Sequence, residues 1–526
     1  MTVADATGAS TPRPIDADVA MLHRLGYAQE LRRRMSGFSN FAVSFTIISI
    51  LSGCMTLYGY GLNTGGPVDM VWGWLIVGVM TTIVGLGMAE VCSAYPTAGG
   101  LYYWSAKLAK RRGAAWSWFT GWFNMLGQVA VTAGIDFGMA LFLGAFLSLT
   151  TSFTATRGHV VALYAGILVA HGLLNTFGIR VVAFLSDVSV WWHILGVSVI
   201  VAWLLIEPAH HASASFVFTH FQNNTGFSNT FYVFMIGLLM AQYTFTGYDA
   251  SAHMTEETRD AARAGSKGIV NSIVVSLVAG FVLIIGVTFA IHGDYAKALS
   301  SPTGVPPAQI FLDAIGRRGG EILPLICIVA QFYCGMASVT ANSRMIYAFS
   351  RDGAVPGHRF WHRINPRTRT PTNSVWFAAV GAFLLGLPYI WSPVAYAAVT
   401  SIATIGLYIA YVTPTLLRRL KGDEFQPGPW HLGRWSPIVG WVGVAWVFVI
   451  AILFMLPEVG PLNSISWSTF NYAPIAVGVV IAYAGIFWLV SARKWFTGPR
   501  AQGDEGQLIA IEREFTHIEQ ELAEVD

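Results

Sequence analysis

Apolar residues along this chain gather into long runs, and charged residues are confined mainly to the shorter stretches between them. A bilayer core about 30 Å thick is crossed by a helix of about 20 mostly apolar residues. Twelve stretches reach that length: 38–62, 68–92, 116–149, 159–177, 185–206, 228–251, 266–292, 320–349, 372–390, 393–417, 436–457 and 471–492. The third and eighth exceed the minimum, which predicts tilt or extension beyond the bilayer. The pattern predicts an all-α integral membrane protein of twelve transmembrane helices. Residues 1–37 and 493–526 form tails; 1–30 are polar and expected to be mobile, and 503–526 are acidic and amphipathic, as in a short surface helix.

Composition agrees. Of 526 residues, 54% are hydrophobic and 11% charged, against about 25% charged in an ordinary soluble domain. This excludes a soluble enzyme, a disulfide-stapled secreted domain and a nucleic-acid binder. Cys54, Cys92, Cys327 and Cys334 all lie in apolar stretches, where cysteine packs as a small apolar residue. Neither a disulfide framework nor a metal site is expected, and the polar N-terminal segment ending in Leu31-Arg32-Arg33-Arg34 does not read as a cleavable signal.

Cytoplasmic flanks retain Lys and Arg. With the N-terminus inside, 26 of the 31 Lys and Arg fall on the cytoplasmic side. Arg157, Lys297, Arg317 and Arg318 fall outside, and Arg344 lies within the eighth span. That asymmetry predicts an even number of spans in the cell membrane with both termini cytoplasmic.

Spans 1 and 6 do not read as continuous helices. Span 1 contains Ser49-Ile-Leu-Ser-Gly-Cys54, followed by Gly59, Gly61 and Gly65-Gly66-Pro67. Span 6 contains Tyr243-Thr-Phe-Thr-Gly-Tyr-Asp-Ala250 where a lipid-facing helix carries Leu or Val. Gly costs about 1 kcal/mol against Ala within a helix. An opened backbone at membrane depth survives only where it is buried in protein or lines a cavity. The two interruptions open the two five-span units, 1–5 and 6–10, and paired interruptions point to a transporter site between inverted repeats. A half-helix N-terminus there offers N–H groups to a carboxylate, and unwound carbonyls accept from an ammonium. The alternative is that these glycines permit close helix packing; two polar breaks in register favour the site.

Four stretches carry a family resemblance. They are Ser49-Ile-Leu-Ser-Gly-Cys-Met-Thr-Leu-Tyr-Gly59 with Gly65-Gly66-Pro67, and Ala89-Glu90-Val-Cys-Ser-Ala-Tyr95-Pro-Thr-Ala-Gly-Gly100-Leu-Tyr-Tyr-Trp104. The others are Phe245-Thr-Gly247-Tyr-Asp249-Ala-Ser-Ala-His253-Met-Thr-Glu256-Glu257-Thr258 and Asn342-Ser-Arg344-Met-Ile-Tyr-Ala-Phe-Ser-Arg351-Asp-Gly-Ala-Val-Pro356. Between residues 38 and 492 the chain resembles amino acid permeases of the amino acid–polyamine–organocation superfamily, in the amino acid/choline transporter branch that includes GABA permeases. The resemblance implies a leucine-transporter-type fold. Its inverted repeats would be 38–206 and 228–417, forming a core over 38–417, with two peripheral helices over 436–492. It also implies alternating access, with the substrate carboxylate held by backbone amides of a Gly-x-Gly motif in span 1. Here that stretch is Leu51-Ser52-Gly53, with the first glycine replaced. The expected substrate residues are Ser52, Gly53, Cys54, Gln128, Thr244, Phe245, Thr246, Gly247, Tyr248 and Asp249.

Asp249 is a counter-charge for a substrate amine, a gating hydrogen-bond partner or an N-cap of the second half-helix. Tyr243, Phe245 and Tyr248 either cover the substrate or pack. His193 in span 5 is the proton-coupling candidate, since relatives place a lysine in this span near the sodium position of sodium-coupled members; the alternative is a ring fixed on a neighbouring carbonyl. His171 has a weaker case. Asp136, eight residues from Gln128 and so near one face of span 3, is a functional candidate or pairs with a polar neighbour. Glu90, Glu256, Glu257, Arg344 and Arg351 are expected to form an ion-pair network closing the cytoplasmic gate.

These readings converge on a secondary active transporter for amino acids or similar zwitterions such as GABA; the expected driver is a proton gradient, and no cofactor is implied. A choline or polyamine permease, an amino acid exchanger and a non-transporting amino acid sensor are the alternatives. No motif for enzyme chemistry or ATP binding sits in a supporting context.

Overall fold

The structure is a computed structural model that describes residues 16–177, 179–291, 295–392, 394–461, 466 and 469–525. The described residues separate into two units: those within 31–500 form one, and 16–30 with 501–525 form the other. In the smaller unit, helix Ala17–Leu25 starts from Asp16, whose carboxylate accepts the Asp18 amide at 2.9 Å, and ends on Gly26 with φ 97°. His23 Nε2 lies 2.8 Å from Glu512 Oε1 of helix Glu505–Val525, and the same oxygen accepts the Gln29 amide at 2.7 Å. The described part of the polar N-terminal tail is therefore folded where mobility was expected. Its partner lies nearly 500 residues away in sequence.

In the larger unit, eleven helices among the described residues are long and apolar enough to cross a membrane. The first span is α1, Gly37–Ile48, followed by α2, Gly53–Thr56, and α3, Tyr58–Asn63. Ser36 opens α1 by accepting the Ser39 amide at 3.0 Å. After a wide turn over Asp69–Gly73 comes α4, Trp74–Ala94, then α5, Gly113–Thr150, α6, Arg157–Phe177, and α7, Ile179–Ile206. The stretch expected as span 6 folds in short pieces: α8, Thr230–Gly237, α9, Leu239–Thr244, and α10, Ala250–His253. This is why it is absent from the eleven long helices.

The remainder comprises α11, Ala261–Phe289, and α12, Pro306–Arg351, which bends at Gly316 (φ 69°). Next are α13, Thr372–Gly386, α14, Val394–Lys421, α15, Ser436–Leu453, and α16, Ala473–Val490. α5 packs on both α12 and α14, and 83% of its most apolar window is buried. The buried share is 33% in α13 and α15 and 17% in α16.

Lipid tails are as apolar as Leu, so burial of apolar surface contributes little to helix association, and buried polar contacts add about 0.6–2 kcal/mol each. The α1–α10 contact uses them. Asn40 Nδ2 donates to Ser251 O at 2.9 Å and to Thr258 Oγ1 at 3.0 Å. Ser44 Oγ donates to Tyr248 O at 3.0 Å. The two interrupted spans are thereby held side by side.

Candidate functional site

The two interruptions meet. α1 ends at Ser49, a non-glycine residue at φ 28°, and the chain restarts as α2 only at Gly53. α9 ends at Phe245, and the chain passes Gly247 at φ 91° before α10. A β-carbon on Gly53 would fall 2.9 Å from Thr244 Cα, and one on Gly247 would fall 2.2 Å from Ile47 Cγ2. The first glycine lets the backbones approach; the second also supplies a left-handed turn that side chains disfavour. The polar sequence around each break is thus satisfied by the other break rather than by lipid.

At the span 1 break the amides of Ser52 and Gly53 both donate to Ser49 O at 2.9 Å. Cys54 Sγ donates to Ile50 O at 2.6 Å. In this conformation the expected carboxylate-binding amides of Ser52 and Gly53 are held by the turn itself. At the span 6 break Tyr408 Oη donates to Phe245 O at 2.9 Å, and the Gly247 amide donates to Tyr411 Oη at 3.0 Å. Thr246 Oγ1 donates back to Tyr243 O at 2.7 Å, and Thr244 Oγ1 to Met240 O at 2.8 Å. Buried polar atoms of Gln242, Tyr243 and Tyr248 at this break have no protein partner, a costly state unless something else supplies the hydrogen bond.

Asp249 stands at the N-cap position of α10, yet its side chain makes no capping bond. Its carboxylate instead accepts from Tyr411 Oη at 2.7 Å and from Gln128 Nε2 at 2.6 Å. His253 Nε2 lies 3.3 Å away. Asp249, Gln128 and His253 are all essentially inaccessible, at 0%, 1% and 0% exposure. His253 Nδ1 lies 2.8 Å from Ala98 O, and a carbonyl only accepts, so Nδ1 carries the proton. Tyr248 packs on Tyr411 with ring centroids 4.6 Å apart.

His193 touches the span 1 break directly. Its Nδ1 lies 2.7 Å from Ser189 O and its Nε2 2.7 Å from Ser49 Oγ. The Ser189 carbonyl fixes the proton on Nδ1, so neutral Nε2 accepts from the Ser49 hydroxyl. The ring is thus fixed on a neighbouring carbonyl, and it also touches the span 1 break. Asp136 and His171 pair with each other, Oδ2 to Nδ1 at 3.1 Å, both at 0% exposure. Gln128, on the same face of α5, reaches Asp249 instead.

The residues expected at the gate divide. Glu257 pairs with Arg344 at 2.8 Å, and Glu256 with Arg351 at 3.2 Å. Glu256 also accepts the Ala98 amide at 3.0 Å, so the Tyr95–Gly100 turn hangs between Glu256 and His253. Glu90 stands apart: it accepts from Ser436 Oγ at 2.5 Å and faces Arg418 and Arg419 at 3.5 and 3.8 Å. The four cysteines are free buried thiols, and no cluster able to hold a metal ion is found among the described residues.

Sequence reasoning passed over Tyr408, Tyr411, His253 as a site residue, and Asn124, whose Nδ2 lies 3.3 Å from His253 Nε2. The two tyrosines stand three apart on α14 and so share a face, which was a usable signal. Nothing in the pattern of α14 linked that face to Asp249.

The profile of the amino acid permease family matches residues 35–481. The chain is 46% identical over 503 residues to the amino-acid permease BAT1 of Arabidopsis thaliana, covering 92% of this chain and 96% of the relative. It is also 46% identical over 502 residues to a rice homologue of that permease, covering 92% and 96%. Identity to the GABA-specific permease of Saccharomyces cerevisiae is 33% over 507 residues, covering 94% and 88%.

Proposed function

The chain belongs to the amino acid permease family, and from that premise we propose that it is a proton-coupled secondary transporter of small amino-acid-like zwitterions such as GABA. Membership makes it a multi-pass membrane protein of amino acid transport. The finer reading adds alternating access around the crossed breaks, inverted repeats over 38–206 and 228–417, and both termini in the cytoplasm of a cell-membrane protein.

One observation carries the substrate reading: the broken backbones of spans 1 and 6 touch at Gly53 and Gly247, beside unpartnered polar atoms of Gln242, Tyr243 and Tyr248. A carboxylate at the start of α2 takes the Cys54 amide, and takes those of Ser52 and Gly53 as they leave Ser49 O. The substrate amine meets the carbonyls and hydroxyls of the span 6 break. Asp249 already serves Tyr411 and Gln128, so it orders the break and favours a zwitterion over a quaternary ammonium needing a bare carboxylate.

His193 supplies the coupling. Protonation turns its Nε2 from acceptor to donor, and the Ser49 hydroxyl must then reverse its bond. Protonation of His193 is thereby passed on to Ser49, whose carbonyl holds the Ser52 and Gly53 amides. The Glu257–Arg344 and Glu256–Arg351 pairs close the inner side and separate when it opens, and Glu90 braces α14 and α15 beside them.

Purified protein in proteoliposomes tests this. An inward proton gradient is expected to drive GABA accumulation that unlabelled GABA competes and choline does not. Accumulation without regard to the gradient, or displacement by choline alone, contradicts the reading. His193→Gln is expected to abolish gradient-driven accumulation while GABA–GABA exchange persists.

A further inference from the structure

Below the crossed breaks, on the face that carries most of the basic residues, lies a cavity of about 110 Å³. A single water needs about 10–15 Å³ measured in the same way, so this space admits a small organic molecule. Its walls come from the strand-like arm before α1, from α1, α7 and α12, from the segment after α10, and from the turn before α13. Arg32, Arg34 and Arg369 line it, opposed by Glu257.

The arm is fixed. The Met35 amide donates to Glu257 O at 2.9 Å, the Arg259 amide donates to Met35 O at 3.0 Å, and Arg33 Nη1 donates to Thr255 O at 3.0 Å. Arg33 anchors the arm, and its neighbours Arg32 and Arg34 line the cavity. Glu257 is already neutralised by Arg344, and Arg344 Nη2 is a fully buried donor with no protein partner. Thr340, which also lines the cavity, stands one helical turn before Arg344 on α12. Three guanidinium groups and one carboxylate line the space, and Nη2 of Arg344, the partner of that carboxylate, makes no hydrogen bond within the protein. At the inner end, Val43 precedes Ser49 by six residues, about 9 Å of helix.

We propose that this cavity is a second binding site, an exit station that takes the carboxylate of a small zwitterion on Arg34, Arg32 and Arg369 after it leaves the crossed breaks. Guanidinium matches a carboxylate in a two-point geometry that an ammonium does not. A recess walled by apolar side chains strengthens that attraction relative to open water. When Glu257 parts from Arg344, the substrate amine takes Glu257 and the carboxylate reaches Arg344 Nη2, so the cargo replaces the gate's own ion pair while the gate is open. The assignment of a zwitterion rests on the transport reading above; the affinity of the cavity for carboxylates does not.

Ala183 lines the cavity from α7 and is exposed, which makes Ala183→Cys a reporter in full-length protein whose native cysteines are buried. In zwitterionic detergent micelles, maleimide labelling of this cysteine is expected to slow at least threefold with GABA or with butyrate, and not with butylamine. Arg34→Gln with Arg369→Gln removes the protection. Arg34→Gln alone, at an exposed position, reduces it, which guards against a misfolded double variant. Equal protection by butylamine, or none by butyrate, overturns the proposal. So does protection by phosphatidylglycerol added to the micelles where butyrate gives none, which assigns the cavity to a lipid headgroup. Butyrate protection without GABA transport retains the exit site and rejects the transport reading.

Discussion

Gly247 shows how much of the site depends on single atoms. At φ 91° and with Ile47 Cγ2 at 2.2 Å from a β-carbon position, alanine meets both a left-handed backbone penalty and a steric clash. The penalty alone is about 1–2 kcal/mol. Gly247→Ala is expected to lower the unfolding temperature in detergent and to cut GABA uptake at least tenfold. Gly158 has nothing within 4 Å of such a position, so Gly158→Ala is expected to leave both measurements unchanged. Glu458, in the segment after α15, behaves differently. Burial pushes its carboxyl up to about 7, against the hydrogen bond from Ser401 at 3.3 Å. A carboxyl raised in the fold holds its proton there after the unfolded chain has lost it, so stability falls as pH rises from about 4.5 to about 7. Wild-type protein is expected to lose unfolding temperature over that range relative to Glu458→Gln; parallel pH profiles exclude Glu458 as the cause. Composition marks neither residue: Gly247 is one of 54 glycines, and Glu458 sits in an ordinary polar loop.

Among the elements, the segment after α10 is joined to α12 by two ion pairs, Glu257–Arg344 and Glu256–Arg351. Arg344 is inaccessible, and the Glu257 side chain is 11% exposed. Removing one partner of such a pair leaves a buried charge, at a cost of about 3–5 kcal/mol. Arg344→Gln is expected to be strongly destabilising in a denaturant titration, and Glu257→Gln with Arg344→Gln less so than the sum of the single changes. Additive effects remove the pair as a unit of the gate. The sequence placed these residues near one surface and grouped Glu90 with them. In the structure Glu90 turns to Ser436, Arg418 and Arg419 because α4 packs against α15 and α14 on that side. Helix-to-helix pairing cannot be read from a single run of residues, since every apolar helix offers several faces. The same limit hid Tyr411, 162 residues beyond Asp249.

For the whole molecule, the distribution of Lys and Arg predicts which ends of the helices face the cytoplasm. A cysteine at Ala109 is expected to react with a membrane-impermeant maleimide only in permeabilised cells, and a cysteine at Gly158 in intact cells. The reverse pattern inverts the topology. Hydrophobic run length, charge asymmetry and the two polar interruptions are local properties, because each residue's transfer into lipid is decided largely by its own chemistry. The sequence alone therefore determined that the chain is helical and membrane-embedded, and where spans 1 and 6 lose their regularity. Only tertiary structure decided that the breaks touch through Gly53 and Gly247, that Asp136 belongs to His171, and that Asp249 is held by α14. Those outcomes depend on how helices cross and on hydrogen bonds between residues 35 to 162 positions apart, which the order of residues constrains but does not display.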